Sequence, residues 1–220
     1  MRLTPRQWRQ IVGWFVRDVP ADAIARETGV HRKRVLRALT VVRTALHRAL
    51  AGEDLPPAQP TPTEPPPVIG IRLDEGGPLA EPVPAINPRA LRQRDRSATD
   101  LVERVPVLAS YAAIVWRNQL RWTRELTDAE RSDISAFWAF VRRQLTSRGG
   151  RRRERLGLFL AEFTWRYRTR RQPVELRTRD ILRLIGSGLV SGVGLSGAAE
   201  RASRKGTDRR ADGNGPGVNR

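Results

Sequence analysis

The stretch Ala25-Arg-Glu-Thr-Gly29-Val-His-Arg-Lys-Arg-Val35 decides how the first fifty residues fold. Two helices that cross steeply over a short turn need a small side chain where they touch and, at the turn, a residue that tolerates a positive φ. Ala25 lies four residues before Gly29 and Val35 six after it, which supplies both and adds an inward apolar position on the next helix. Upstream, Thr4-Pro5 predicts a helix start, with Thr as the cap and Pro in the first helical position. Trp8, Ile11, Val12 and Phe15 then recur at helical spacing. Val19-Pro20 breaks that helix, a second runs from Ala21 to Thr28, and a third runs from Val30 or His31 to Arg48. Ile24, Val30, Val35, Ala38 and Leu39 point inward, leaving Arg32, Lys33, Arg34 and Arg37 on the outer side, with His31 at the helix start near phosphate. A basic helix set on such a turn fits the major groove of duplex DNA. A solvated face on a plain three-helix bundle is the competing reading.

The charge balance bears on that choice. Among 220 residues, Lys and Arg number 41 against 23 Asp and Glu, a net charge of +18. Only Lys33 and Lys205 are lysines, so the positive charge is almost wholly guanidinium, whose planar donor fork matches phosphate oxygens. Residues 1–50 hold 11 basic and 3 acidic side chains, residues 51–130 hold 9 and 12, and residues 142–171 hold 11 and 2. Two basic blocks around a near-neutral middle suggest two surfaces for a polyanion. The absence of cysteine excludes disulfides and thiolate-held zinc or iron–sulfur centres and fits a reducing compartment. His31 and His47 are too few for a histidine metal cluster. No apolar run has the length of a signal core or a membrane span. The expectation is a cytoplasmic, nucleoid-associated protein with duplex DNA as partner, no membrane, and room for a homo-oligomer.

Four regions follow: a helix-turn-helix domain over 1–50, a Pro-rich linker over 51–67, a mixed region over 68–185, and a basic tail over 186–220 expected to be disordered. In the third region, Val68 to Leu73 and Leu79 to Val83 predict a hairpin around Asp74-Glu-Gly-Gly77, with Pro82 and Pro84 placing its second strand near an edge. Asn87-Pro88 starts a helix, Val105 to Ala109 forms a short buried strand, and Ala112 to Leu126 is helical. Thr127-Asp-Ala-Glu130 is a capping box opening a long helix with Ile134, Phe137, Trp138, Val141 and Leu145 on its apolar stripe. A last helix spans Arg151 to Arg168, with Trp165 and Tyr167 interleaved among its arginines. The second basic block, Arg142, Arg143, Arg151, Arg152, Arg153, Arg166 and Arg170, is expected to contact DNA backbone, a solvated helix face being the alternative.

Phe137-Trp138, the pair Arg142-Arg143, Gly149 or Gly150, and then Leu160, Glu162-Phe163, Arg166-Tyr167 and Arg170 together resemble the C-terminal part of insertion-sequence transposases of the ISXO type. The hairpin after Pro67 and the segment Leu3 to Leu46 are similar to that family's hairpin and helix-turn-helix, in the same order. The resemblance implies an α/β fold class: an all-helical helix-turn-helix domain followed by a shortened RNase-H-like domain with long C-terminal helices. It also implies DNA cleavage and strand transfer with Mg2+ or Mn2+ held by carboxylates. The sequence departs from the family at those carboxylates. The first would fall in the Pro-rich linker, which offers Asp54. The second position holds Tyr111, and near the third stands Asp133. Asp54 and Asp133 are thus the candidate catalytic residues, with solvated surface acids as the other reading. A transposase remnant acting only as a DNA-binding protein or regulator is the alternative function.

Overall fold

In the computed structural model, the described residues are 3–51, 68–83, 86, 91, 98–147 and 155–192. They form a mixed α/β chain, mostly helical, with one small four-stranded antiparallel sheet. The expected linker and the segment opening at Asn87 lie outside the described residues, as does the tail from residue 193 onward.

Helix α1 (Pro5–Val16) starts where the sequence predicts: the Thr4 hydroxyl accepts from the Gln7 amide at 3.2 Å, and the Gln7 side chain accepts from the Thr4 amide at 2.9 Å. Two otherwise orphaned amides are satisfied reciprocally. Helix α2 (Ala21–Thr28) ends at Gly29, which adopts φ 66, and α3 (Arg32–Ala51) follows. Ile11, Val12, Phe15, Ile24, Val35 and Leu46 are buried between these helices. That core also takes in Trp165, Ile181 and Ile185 from the far end of the chain. Phe15 and Trp165 stack with centroids 6.2 Å apart.

Those distant residues sit on α6 (Leu156–Arg168) and α7 (Val174–Gly192). Helix α7 runs on through Gly192, so the first residues of the expected disordered tail are helical. Helix α6 is buried on every side from Leu160 to Tyr167, polar Glu162, Thr164 and Arg166 included. A helix buried all round lies between two bodies. Trp165 joins the core of α1–α3, whereas Leu160, Phe163 and Tyr167 join the core beneath the sheet.

Strands β1 (Ile69–Asp74) and β2 (Gly77–Pro82) make the expected hairpin, with Ile71 opposite Ala80 and Gly77 at φ 97. The strand order is β2-β1-β3-β4, which puts β2 at an edge, as its prolines suggest. Its outer edge is covered by α6. The Thr164 hydroxyl accepts from the Ala80 amide at 3.2 Å, and Arg168 donates to the carbonyls of Pro78 at 3.1 Å and Gly77 at 2.6 Å. Side chains of a helix thereby take the hydrogen bonds a fifth strand would make, and the edge offers no template for another chain.

Two expectations fail between residues 105 and 126. Val105 to Ala109 is no strand: Pro106–Ser110 is a 3-10 turn following α4 (Ala98–Arg104). Ala112 to Leu126 is no helix: it folds into β3 (Ala113–Trp116) and β4 (Gln119–Trp122). Arg117 and Asn118 at the tip have φ of 51 and 63, the pair of left-handed residues that a tight two-residue hairpin requires. Ile114, Val115 and Trp116 suit a pleated surface better than a helix turn. Ile69 and Ile71 of β1 and Ala113 and Val115 of β3 face the core shared with α5 (Asp128–Ser147) and α6, where Ile134, Phe137, Trp138 and Val141 are buried. Gly70, on the opposite face, lies against Tyr111 so closely that a Cβ would come within 2.2 Å of its ring. The predicted cap of α5 forms, with the Thr127 amide donating to Glu130 at 2.8 Å and the Glu130 amide donating to the Thr127 hydroxyl at 3.3 Å.

Candidate nucleic-acid interface

The α2–α3 turn is built from local hydrogen bonds. The Thr28 hydroxyl donates to the Ile24 carbonyl at 2.6 Å, the left-handed Gly29 ends α2, and open space surrounds Gly29 where a side chain would stand. His31 caps α3: its Nδ1 accepts from the Lys33 amide at 3.2 Å, and its carbonyl accepts from the Arg34 amide at 2.8 Å. The imidazole is exposed beside the helix N-terminus, where backbone amides favour an anion. Arg32, also exposed, pairs across the turn with Asp22 of α2.

Beyond this point the helix has two distinct sides. Val35, Ala38, Leu39, Val42 and Leu46 are buried, while Lys33, Arg37 and Arg48 are exposed on the other side; Arg34 is half-buried. Among the described residues, no carboxylate lies within ion-pairing distance of Lys33, Arg37 or Arg48. Arg43 points the other way. Its guanidinium lies 4.6 Å from the Phe159 ring and donates to Glu162 at 2.6 Å. Leu36, 37% exposed, stands between Lys33 and Thr40 on the outer flank. The sequence reading passed over Leu36; an apolar residue at an outward position of a basic helix was the signal available.

The second basic block divides. Arg142 and Arg143 are exposed on α5 and, with Asn118, Ala139 and Thr146, line a shallow depression beside the β3–β4 tip. Arg170 is exposed, donates to the Tyr167 carbonyl at 2.6 Å and lies 3.7 Å from the Tyr167 ring centroid. Arg151, Arg152 and Arg153 lie outside the described residues. Arg166, expected on a DNA-facing surface, is instead 6% exposed. It donates to Glu162 at 3.0 Å and to the Phe15 carbonyl at 2.7 Å, and it lies 3.3 Å from Asp18. A guanidinium so engaged cannot reach phosphate without unpacking α1 from α6. Trp165 and Tyr167 are likewise buried, so the interleaved aromatics are core and not stacking platforms for bases.

Of the candidate catalytic residues, Asp54 lies outside the described residues. Asp133, half-buried on α5, accepts a 2.8 Å hydrogen bond from the Tyr167 hydroxyl. Burial first, and then this carboxylate, push the Tyr167 phenol above its ordinary pKa. Tyr111, expected where the resemblance would put a second carboxylate, is buried; desolvation and the adjacent Glu81 push its pKa up as well. Among the described residues, no three His, Cys, Asp or Glu side chains gather closely enough to hold a metal ion. Nor, among the same residues, is any helix long and apolar enough to cross a membrane. No protein-family model matches the chain, no curated protein matches its sequence, and no solved structure matches its fold.

Proposed function

We propose that the chain binds double-stranded DNA, with α3 in the major groove and α2 across the backbone. The observation that carries this reading is the two-sided α3. Its apolar side is locked to α6 and α7, while Lys33, Arg37 and Arg48 face solvent without carboxylate partners among the described residues. An acid-free basic stripe on a helix whose other side is packed into the core suits a partner carrying dense negative charge. The exposed pair Arg142 and Arg143 offers a further contact for backbone phosphate.

The finer reading, recognition of insertion-sequence ends by a relative of ISXO-type transposases, draws support from element order: helix-turn-helix, β1–β2 hairpin, then α5 with Phe137-Trp138 and α6. Strand transfer by two Mg2+ or Mn2+ ions needs several carboxylates around one point. Asp133 is the one candidate of the pair among the described residues, and its Oδ1 already accepts from Tyr167. Among the described residues no carboxylate cluster surrounds Asp133, and the proposal is confined to DNA binding.

Binding is tested by selecting duplexes from a random-sequence pool and measuring affinity against salt. Each phosphate contact steepens the fall of log K with log salt by about 0.9. Lys33→Ala and Arg37→Ala should each weaken binding, flattening the slope by about one unit where the lost contact is to phosphate, or relaxing base preference where it is to a base. No retained duplex at low salt, or affinities indifferent to both changes, would overturn the proposal.

A further inference from the structure

Large apolar side chains are seldom exposed in the described part of this molecule: Leu36, Val41, Val107 and Leu176 make up the set. Two of the four lie on α3, and Leu36 lies in its N-terminal half, the part of a recognition helix that meets base edges. Its neighbours one helical turn away are Lys33, exposed, and Thr40, half-buried, and Arg37 adjoins it in sequence. Arg32, four residues before Leu36 and so also one turn away, is tied to Asp22 of α2.

Leu36 leaves over a third of its surface in water amid cations, while α3 already buries Val35, Ala38, Leu39, Val42 and Leu46. In the major groove, one group on the base edges is apolar: the C5-methyl of thymine. Resting on the DNA-binding reading above, we infer that Leu36 reads a thymine methyl, so that the preferred duplex carries a thymine beside the base pairs faced by Lys33 and Arg37. Val41 is five residues further on and about 140° round the helix, too far to share that contact.

The test replaces each thymine of the selected duplex, one at a time, by deoxyuridine, which deletes the methyl alone. For the unaltered full chain, one such position should cost about fourfold in affinity, the worth of burying one methyl-sized group. Leu36→Ala should lose sensitivity at that position while the chain stays folded by thermal unfolding; Val41→Ala, equally exposed, should keep the sensitivity. If no deoxyuridine position matters, or if Leu36→Ala retains the same penalty, the inference is overturned while DNA binding stands. If no duplex is selected at all, the DNA-binding reading fails and this inference falls with it.

Discussion

Replacing Glu162 by Gln should loosen helices α1–α3 from the rest of the chain. The Glu162 side chain is fully buried and accepts from Arg43 of α3 at 2.6 Å and from Arg166 of α6 at 3.0 Å. Arg43 and Arg166 are only 14% and 7% exposed, so neither can exchange the lost carboxylate for bulk water. Removing one partner of a buried pair typically costs 3–5 kcal/mol, because the remaining charge stays desolvated. The amide preserves shape and can accept one of the two hydrogen bonds, which places the expected loss at about 3 kcal/mol. With a slope near 2 kcal/mol per molar urea, the unfolding midpoint should fall by about 1.5 M. Asp22→Ala is the control: the Asp22–Arg32 pair is 66% and 59% exposed on its two sides, a class usually worth less than about 1 kcal/mol. Arg43→Met combined with Glu162→Gln should destabilise by less than the sum of the single changes, since both remove the same contact. A Glu162→Gln midpoint within about 0.3 M of the parent would refute the reasoning, and with it the view that this buried carboxylate holds α3 to α6.

Both of the chain's two tyrosines, Tyr111 and Tyr167, have raised pKa values, chiefly through burial and then through Glu81 and Asp133. A folded pKa above the unfolded one contributes stability that is fully present below about pH 10 and is lost as pH climbs beyond it. Ultraviolet titration should therefore show little phenolate near pH 10 until the protein unfolds; an ordinary two-tyrosine titration of the native chain would contradict this. Gly70→Ala should destabilise by at least about 1–3 kcal/mol, since the new Cβ meets the Tyr111 ring at 2.2 Å, and calorimetry would expose a neutral outcome as a failure. Gly186→Ala is its opposite. That exposed site on α7 has open space where the Cβ would go, so the change should stabilise by up to about 1 kcal/mol, and a lowered melting temperature would count against the helix there.

Where local chemistry has one solution, the sequence was legible. Thr4-Pro5, the Gly29 turn, the Asp74-to-Gly77 hairpin and the Thr127–Glu130 cap each satisfy backbone groups within a few residues, and each occurs as expected. The hairpin of β3 and β4 departs from the expected helix because Ala112 to Trp116 is a short apolar run, which periodicity cannot assign; the Arg117-Asn118 tip carries the hairpin signal. The outer face of α3 was legible for a related reason: an amphipathic helix on a Gly turn can bury only one side.

Sequence by itself thus determined the three N-terminal helices with their Gly29 turn, the basic outer face of α3, and the apolar stripe of α5, because each follows from spacing along one element or one turn. Tertiary structure decided the fate of the second basic block. A guanidinium looks the same in sequence whether it awaits phosphate or a buried carboxylate. Only the packing of α6 between two cores shows that Arg166 belongs to Glu162 and the end of α1, while Arg142 and Arg143 remain at the surface. The physical reason is distance along the chain: the partners that bury Arg166, Phe15 and Asp18 among them, lie about 150 residues away, and no local pattern carries that information.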